Sequence, residues 1–229
     1  MSTWFAEQLA CACGHEFSAR LARGIHASRV PQVREQILRN ELHVITCPGC
    51  GDVADVHRDL TYADFDRFHW VRVARPDQLD AWAAVEAASL AQFTRIVASG
   101  APLVAELAAR FRVRVVFDLD ELRERLIVWD GGLDDPVVEC VKLRCLRERP
   151  ALAAPGHRIR VREVAPTGDL VLASTPALAP KTDRARWTVP AAVVMAVAGE
   201  RENWRRRAPE LFATGFVSID RYLLDPIAG

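Results

Sequence analysis

The sequence predicts an α+β fold in which a small, ribbon-like N-terminal unit closed by cysteine turns packs with helices and a further strand–helix region. Three observations predict it. Two close cysteine pairs, Cys11/Cys13 in L-A-C-A-C-G and Cys47/Cys50 in C-P-G-C-G, are each followed by glycine. A segment of strand character leaves the first pair, and two such segments flank the second. Downstream, β-branched runs alternate with apolar-periodic stretches that start at proline or aspartate and stop at glycine.

Strand character begins at Glu16–Ile25, which alternates loosely and leaves the first cysteine pair. Pro31 suits the first turn of a helix with Val33, Ile37 and Leu38 on one face and Asn40 near its end. Leu42–Thr46 reads as a strand into the second pair, with Val53–His57 returning as its hairpin partner. Strand, cysteine turn, strand is the layout of a zinc ribbon. Tyr62–Arg75 ends in a strand, and Pro76-Asp77 opens a helix to about Ala98. Its core candidates are Leu79, Trp82, Val85, Leu90, Phe93 and Val97, which suit packing on both the ribbon and the later segments.

A short helix over Leu103–Arg110 follows, then a strand at Val113–Phe117. Asp118 caps the next helix, with Glu121 completing a capping box, and Gly131-Gly132 ends it. Asp135-Pro136 begins a helix to about Glu148. Past Pro150, strands at His157–Val164 and Leu170–Ala173 flank a turn, Pro190 begins an apolar helix, and Phe216–Ile219 reads as a last strand.

Half of the 229 residues are apolar, enough to bury a core, and 30 basic residues balance 30 acidic ones. Zero net charge with interspersed signs gives no global electrostatic case for nucleic acid or an anionic membrane. No apolar run approaches a membrane span, and Glu7 interrupts the N-terminal stretch. Leu9-Ala10-Cys11 looks like a lipoprotein cleavage site without a signal sequence before it. The expectation is a cytoplasmic protein with reduced thiols, where close cysteine pairs read as metal-binding or redox motifs.

Four thiols in two turns match the needs of a tetrahedral zinc site. Each turn presents two sulfurs, and the glycine lets backbone N–H groups point at them. The C-x-x-C pair has knuckle spacing; the C-x-C pair is one residue shorter. Cys11, Cys13, Cys47 and Cys50 are therefore the expected zinc ligands. Thiol redox chemistry lacks the helix N-terminus that would activate Cys47, because Gly51–Val56 reads as turn and strand.

These turns and their surroundings resemble the CpXC domain family of bacteria and archaea, named for two C-P-x-C motifs. The resemblance runs through C-G-H-E-F, P-Q-V-R-E-Q-I-L, T-C-P-G-C-G and L-T-Y-A-D-F. It continues through V-R-V-V-F-D-L-D-E-L-R-E-R-L-I-V and G-L-D-D-P-V-V-E-C-V-K, covering roughly Cys11 to Leu146. It implies a cysteine-rich α/β architecture and no particular reaction. The first motif departs from the pattern: Ala10 stands where the first cysteine belongs, and Cys11 takes the proline position. Either Cys11 has shifted to remain a ligand, or this half of the site has decayed. His15 is near enough in sequence to replace a thiolate, and His43 is a weaker substitute. The expected organisation is a CpXC-like domain over 1–148, with its zinc-ribbon-like unit at about 8–60, and a C-terminal strand–helix extension over 149–229 packed on it.

Other polar groupings have structural readings. His57, Asp59, Asp64, Asp66 and His69 match no helical metal motif and read as a solvated loop. Asp134 and Asp135 read as helix-capping groups, with Glu139 and Lys142 pairing three apart on one face. Cys140 and Cys145 read as core or incidental. Arg201, Arg205, Arg206 and Arg207 beside Trp204 form the dense basic cluster, diluted by Glu200, Glu202 and Glu210 into a solvated helix face. The functional expectation is a structural zinc-binding protein acting as an interaction module, with another protein as partner. Two rivals stand beside it: an enzyme with a catalytic metal or thiol, and a nucleic-acid-binding zinc ribbon.

Overall fold

In the computed structural model, which describes residues 2–99, 106–152, 156–177 and 183–224, mixed helices and sheets give the expected α+β class. The chain divides into two compact units, Met1–Leu122 and Arg123–Gly229.

The first unit is built on a five-stranded sheet of order β1-β2-β5-β6-β7. Strand β1 (Thr3–Ala10) and strand β2 (Glu16–His26) form an antiparallel hairpin with the first cysteine pair at its turn. Helix α1 (Pro31–Leu38) starts with proline, whose missing N–H costs nothing in a first turn. Its Val33 and Ile37 are buried, and Asn40 takes φ 58° where the chain turns back. Strands β3 (Val44–Thr46) and β4 (Val53–Asp55) then make a separate two-stranded hairpin carrying the second cysteine pair. Strand β5 (Leu60–Asp64) rejoins the main sheet parallel to β2. The crossover between β2 and β5 thus contains α1 and the second cysteine hairpin, and this returns Cys47 and Cys50 to the first pair. Strand β6 (His69–Val73) pairs antiparallel with β5, and β7 (Arg112–Val116) pairs parallel with β6.

Tyr62–Arg75 holds parts of two strands, because a four-residue turn, Phe65–Phe68, folds it back. Asp64 anchors that turn. It is fully buried, and its Oδ1 accepts from the N–H groups of Asp66 (3.2 Å) and Arg67 (3.1 Å). His69 is buried as well. The expected solvated loop is therefore a hairpin organised around a buried carboxylate. Asp59 pairs with Arg72 at 2.9 Å.

The helix expected from Pro76 opens as a 3-10 turn, Pro76–Ala81, and becomes α2 at Trp82–Ala98. It is not the central packing element that its apolar content suggested. Leu79 is buried in the 3-10 turn, but Ser89 alone is buried in α2, and Leu90 and Ile96 are exposed. Of the short helix expected over Leu103–Arg110, residues 103–105 lie outside the described residues, and 106–108 are helical.

Helix α3 (Leu119–Asp130) spans the division between the units. Its N-terminus is capped as expected: Glu121 N–H donates to Asp118 Oδ1 at 2.5 Å. The Glu121 carboxylate reaches one residue further back than a capping box requires and accepts from Phe117 N–H at 2.9 Å.

In the second unit, β8 (His157–Val164), β9 (Leu170–Pro176) and β10 (Ala185–Val189) form an antiparallel sheet of order β10-β9-β8. Helix α4 (Asp135–Glu148) begins at the expected residue. Asp134, at its N-cap, makes no side-chain cap bond and instead pairs with Arg201. Helices α5 (Ala191–Gly199), α6 (Arg201–Arg207), α7 (Glu210–Ala213) and α8 (Asp220–Leu224) complete the unit.

Phe216–Ile219 is fully buried but is not a strand. Charged side chains take the place of a neighbouring strand for its backbone. Arg125 donates to the Val217 carbonyl, and Ile219 N–H donates to Glu139 Oε2 at 2.9 Å. Those side chains belong to a network with almost no solvent exposure. Lys142 Nζ sits 2.6 Å from Glu124 Oε1 and 2.7 Å from Glu139 Oε1, and Arg125 meets the same Glu139 oxygen at 2.8 Å. Arg160 bonds Asp220 at 3.0 Å, and Val161 N–H donates to Glu124 at 2.5 Å. Burial works to raise the Glu124 carboxyl, but Lys142, Arg160 and Arg125 outweigh it and hold the pKa below the ordinary carboxylate range. Asp220 is lowered in the same way: burial opposes, and Arg160, Arg158 and Lys142 prevail. The Glu139–Lys142 pair expected on one helix face is thus the centre of a buried ionic core.

Candidate metal centre

Two turns of unequal length place the four cysteines. In the first, Gly14 N–H donates to the Cys11 carbonyl at 2.9 Å, and Cys11 N–H donates to the His15 carbonyl at 2.9 Å. In the second, Gly51 N–H donates to the Cys47 carbonyl at 2.8 Å, and Cys47 N–H donates to the Asp52 carbonyl at 2.7 Å. The two patterns correspond, with the first turn one residue shorter. Gly14 (φ 86°) and Gly51 (φ 79°) both occupy the left-handed region, where a Cβ would be strained.

The four sulfurs converge. Cys11 Sγ lies 3.6 Å from Cys50 Sγ, and Cys13 Sγ lies 3.9 Å from Cys47 Sγ. All four lie within 4.8 Å of one another. A tetrahedral ion with metal–sulfur bonds of about 2.3 Å requires sulfurs about 3.8 Å apart, so this quartet fits one metal ion. Cys11 is inside the quartet despite its displaced position in the motif.

Electrostatics also favour a cation among the four sulfurs. Burial opposes ionisation of Cys47, but the N–H groups of Cys50 and Gly49 and the neighbouring thiols outweigh it, bringing its pKa to about 7. The Asp52 N–H favours the Cys50 thiolate, but the thiols of Cys13, Cys11 and Cys47 outweigh it and push Cys50 up to about 12. For Cys11, the Cys13 N–H lowers the pKa, and the thiols of Cys47 and Cys13 raise it to a net increase. The quartet releases a first proton readily and resists losing the last, and a bound cation removes that resistance.

His15 is beside the quartet: a Cβ added at Gly49 would meet its Cγ at 2.8 Å. His43 is elsewhere. Its Nε2 accepts the Ala22 N–H at 2.8 Å inside the first unit, and burial pushes its pKa down to about 4. Because the folded-state pKa lies below the unfolded value of about 6.5, the neutral ring stabilises the fold fully above pH 6.5. That stabilisation drains away as pH falls towards 4, by about 1.4 kcal/mol per pH unit. His43→Gln removes this slope, so the stability gap between wild type and variant should narrow between pH 6.5 and 4 in urea titrations. Parallel pH profiles would contradict the assignment.

The remaining candidates fall outside the quartet. Cys140 is buried in α4, and its surroundings push the thiol up to about 12, chiefly through burial. In the basic cluster, Trp204, the ring that would stack on a base, is buried. Arg201 pairs with Asp134 and Arg205 with Glu202, and both guanidinium groups lie over Phe212. The unread feature is an open groove beside the quartet, lined by Leu9, Phe17, Ile45 and Ala54 among others. The strands of Phe17, Ile45 and Ala54 are legible in the sequence, but that of Leu9 is not, nor is which hairpin faces meet.

A CpXC protein family model matches residues 9–142, more than half of the chain, and the chain belongs to that family. Comparison with curated proteins and with solved structures gives no match. No helix among the described residues is long and apolar enough to cross a membrane.

Proposed function

We propose that the chain is a binding module organised by a structural zinc ion at Cys11, Cys13, Cys47 and Cys50, acting on another protein in a reducing, cytoplasmic setting. The supporting observation is the closed quartet: four sulfurs at tetrahedral spacing occupy every position, whereas a catalytic zinc keeps one open. Thiolates outcompete oxygen ligands for zinc, and the six cysteines are free thiols. The protein-binding part of the reading is supported by the open groove next to the quartet.

Native mass spectrometry with metal analysis tests the metal. Wild type is expected to carry about one zinc per chain, and Cys47→Ser to lose it. Protein expressed with ample zinc that carries none, with all four thiols freely reactive, would overturn the reading.

A further inference from the structure

Oxidation chemistry at the quartet depends on which sulfurs meet and which of them solvent can reach. Two contacts join the cysteine hairpins: Cys11 Sγ to Cys50 Sγ at 3.6 Å, and Cys13 Sγ to Cys47 Sγ at 3.9 Å. Each contact takes one cysteine from each turn. Each also couples an exposed thiol to a more sheltered one. Cys50 is exposed and Cys11 half-buried; Cys13 is exposed and Cys47 buried. The outer sulfur of each pair is open to a small dissolved oxidant, and the inner sulfur touches whatever forms there. An exposed cysteine beside a resolving cysteine is the arrangement that oxidation uses, and the quartet contains it twice.

The backbone supports closure between the hairpins. The first hairpin holds its turn with a ladder from Trp4↔Ala22 to Ala10↔Glu16. The second has three cross-strand pairs, so it is the side that gives when two sulfurs draw together. Cross-links here join positions 39 and 34 residues apart, closing long loops that restrict the unfolded chain. A disulfide inside either turn spans only that turn and ties neither hairpin to the other. Cys140 and Cys145, on α4, take no part in either contact.

We propose that the quartet is an oxidation site, at which hydrogen peroxide closes two disulfides across the hairpins, Cys11–Cys50 and Cys13–Cys47. At each contact the outer thiolate attacks a peroxide oxygen, the O–O bond breaks and hydroxide leaves, giving a sulfenic acid. The inner thiolate then attacks the sulfenic sulfur. An S–S bond forms, the S–O bond breaks and a second hydroxide leaves. Per disulfide, two thiols give up two electrons and two protons, and one peroxide is reduced to two waters. A disulfide sulfur is no longer a thiolate ligand, so a bound zinc ion is released as the bridges close. That release rests on the structural-zinc reading; the pairing rests on the sulfur positions alone. In a reducing compartment such bridges are transient sensors, reopened by thiol exchange.

The test exposes full-length, reduced protein, with zinc measured on the same sample, to hydrogen peroxide for graded times. Remaining thiols are blocked with N-ethylmaleimide in denaturant, and the blocked positions are read by mass spectrometry after reduction and digestion. The half-oxidised species is expected to carry its quartet labels on Cys13 with Cys47, or on Cys11 with Cys50. The fully oxidised species should carry none in the quartet, keep those on Cys140 and Cys145, and have lost about one zinc per chain. In Cys13→Ser, Cys11–Cys50 alone should close and leave Cys47 labelled. Labels on both cysteines of one turn, or on a crossed pair such as Cys11 with Cys47, would overturn the pairing. So would sulfinic acids without cross-links. Zinc-loaded protein whose four thiols stay labelled while a free-cysteine peptide in the same peroxide is consumed would overturn the oxidation site and leave the zinc standing. Zinc-free protein that pairs as expected would do the reverse.

Discussion

Lys142→Met is expected to destabilise the second unit by about 3–5 kcal/mol, the cost of breaking a buried ion pair by removing one partner. The ammonium lies 2.6 Å from Glu124 and 2.7 Å from Glu139, and none of the three side chains has measurable exposure. Methionine matches the volume but leaves both carboxylates short of a donor in a medium where an unpaired charge is expensive. Glu124 loses its 2.6 Å ion pair and keeps the weaker fields of Arg160, whose Nε lies 3.8 Å from Oε2, and of Arg125. Its folded-state pKa, now below the ordinary range, should rise above the unfolded value of about 4.3 in the variant. A group with a raised folded pKa stabilises the fold at pH below the unfolded value and loses that contribution as pH rises through the folded one. The variant should therefore lose least near pH 4 and most at pH 7, with the sign opposite to that of Glu124 in wild type. Urea unfolding at both pH values checks this. A loss under about 1 kcal/mol at pH 7 would place Lys142 in a solvent-screened pair instead.

That ionic core marks where sequence reasoning stopped. The pairing of Glu139 with Lys142 follows from helical spacing, but spacing does not say which face is buried. Asp220 and Arg160, which close the network, lie far away in sequence. The same blindness explains Phe216–Ile219: its apolar run was legible, but the guanidinium and carboxylate that satisfy its backbone in place of a strand were not. Where local chemistry decides, the reading held. Asp135-Pro136 fixed the start of α4, Asp118 capped α3, and the glycines after each cysteine pair set both turns. Where tertiary context decides, it did not. Apolar α2 stays largely exposed, β1 and β10 went unread, and the β5–β6 turn needs Phe68 at φ 55°, a left-handed conformation no local signal favours for phenylalanine.

Cys50→Ser is expected to lose nearly all bound zinc, while Cys11→Ser keeps a measurable share. The two hairpins differ in what holds them without metal. The first has a long antiparallel ladder from Trp4↔Ala22 to Ala10↔Glu16, so its turn is presented even when the site is damaged. The second has three cross-strand pairs, Val44↔Asp55 to Thr46↔Val53, and every β4 residue is exposed. A two-stranded hairpin of that size does not stand alone in water, so its thiolates and its fold should both depend on a bound metal. Loss of Cys11 also leaves a replacement within reach, because the His15 ring packs against Gly49 of the second turn. An imidazole nitrogen is a good zinc ligand, and Cys11→Ser with His15→Ala should then fall to the level of Cys50→Ser. Chelation of wild type should raise amide exchange first in Val44–Asp55, with β5 and β6 protected for longer by their own ladder. Metal analysis and hydrogen exchange read both effects. Equal zinc loss in the two single variants, unaffected by His15, would make the quartet an ordinary symmetric site, and full zinc retention in Cys50→Ser would remove that residue from it.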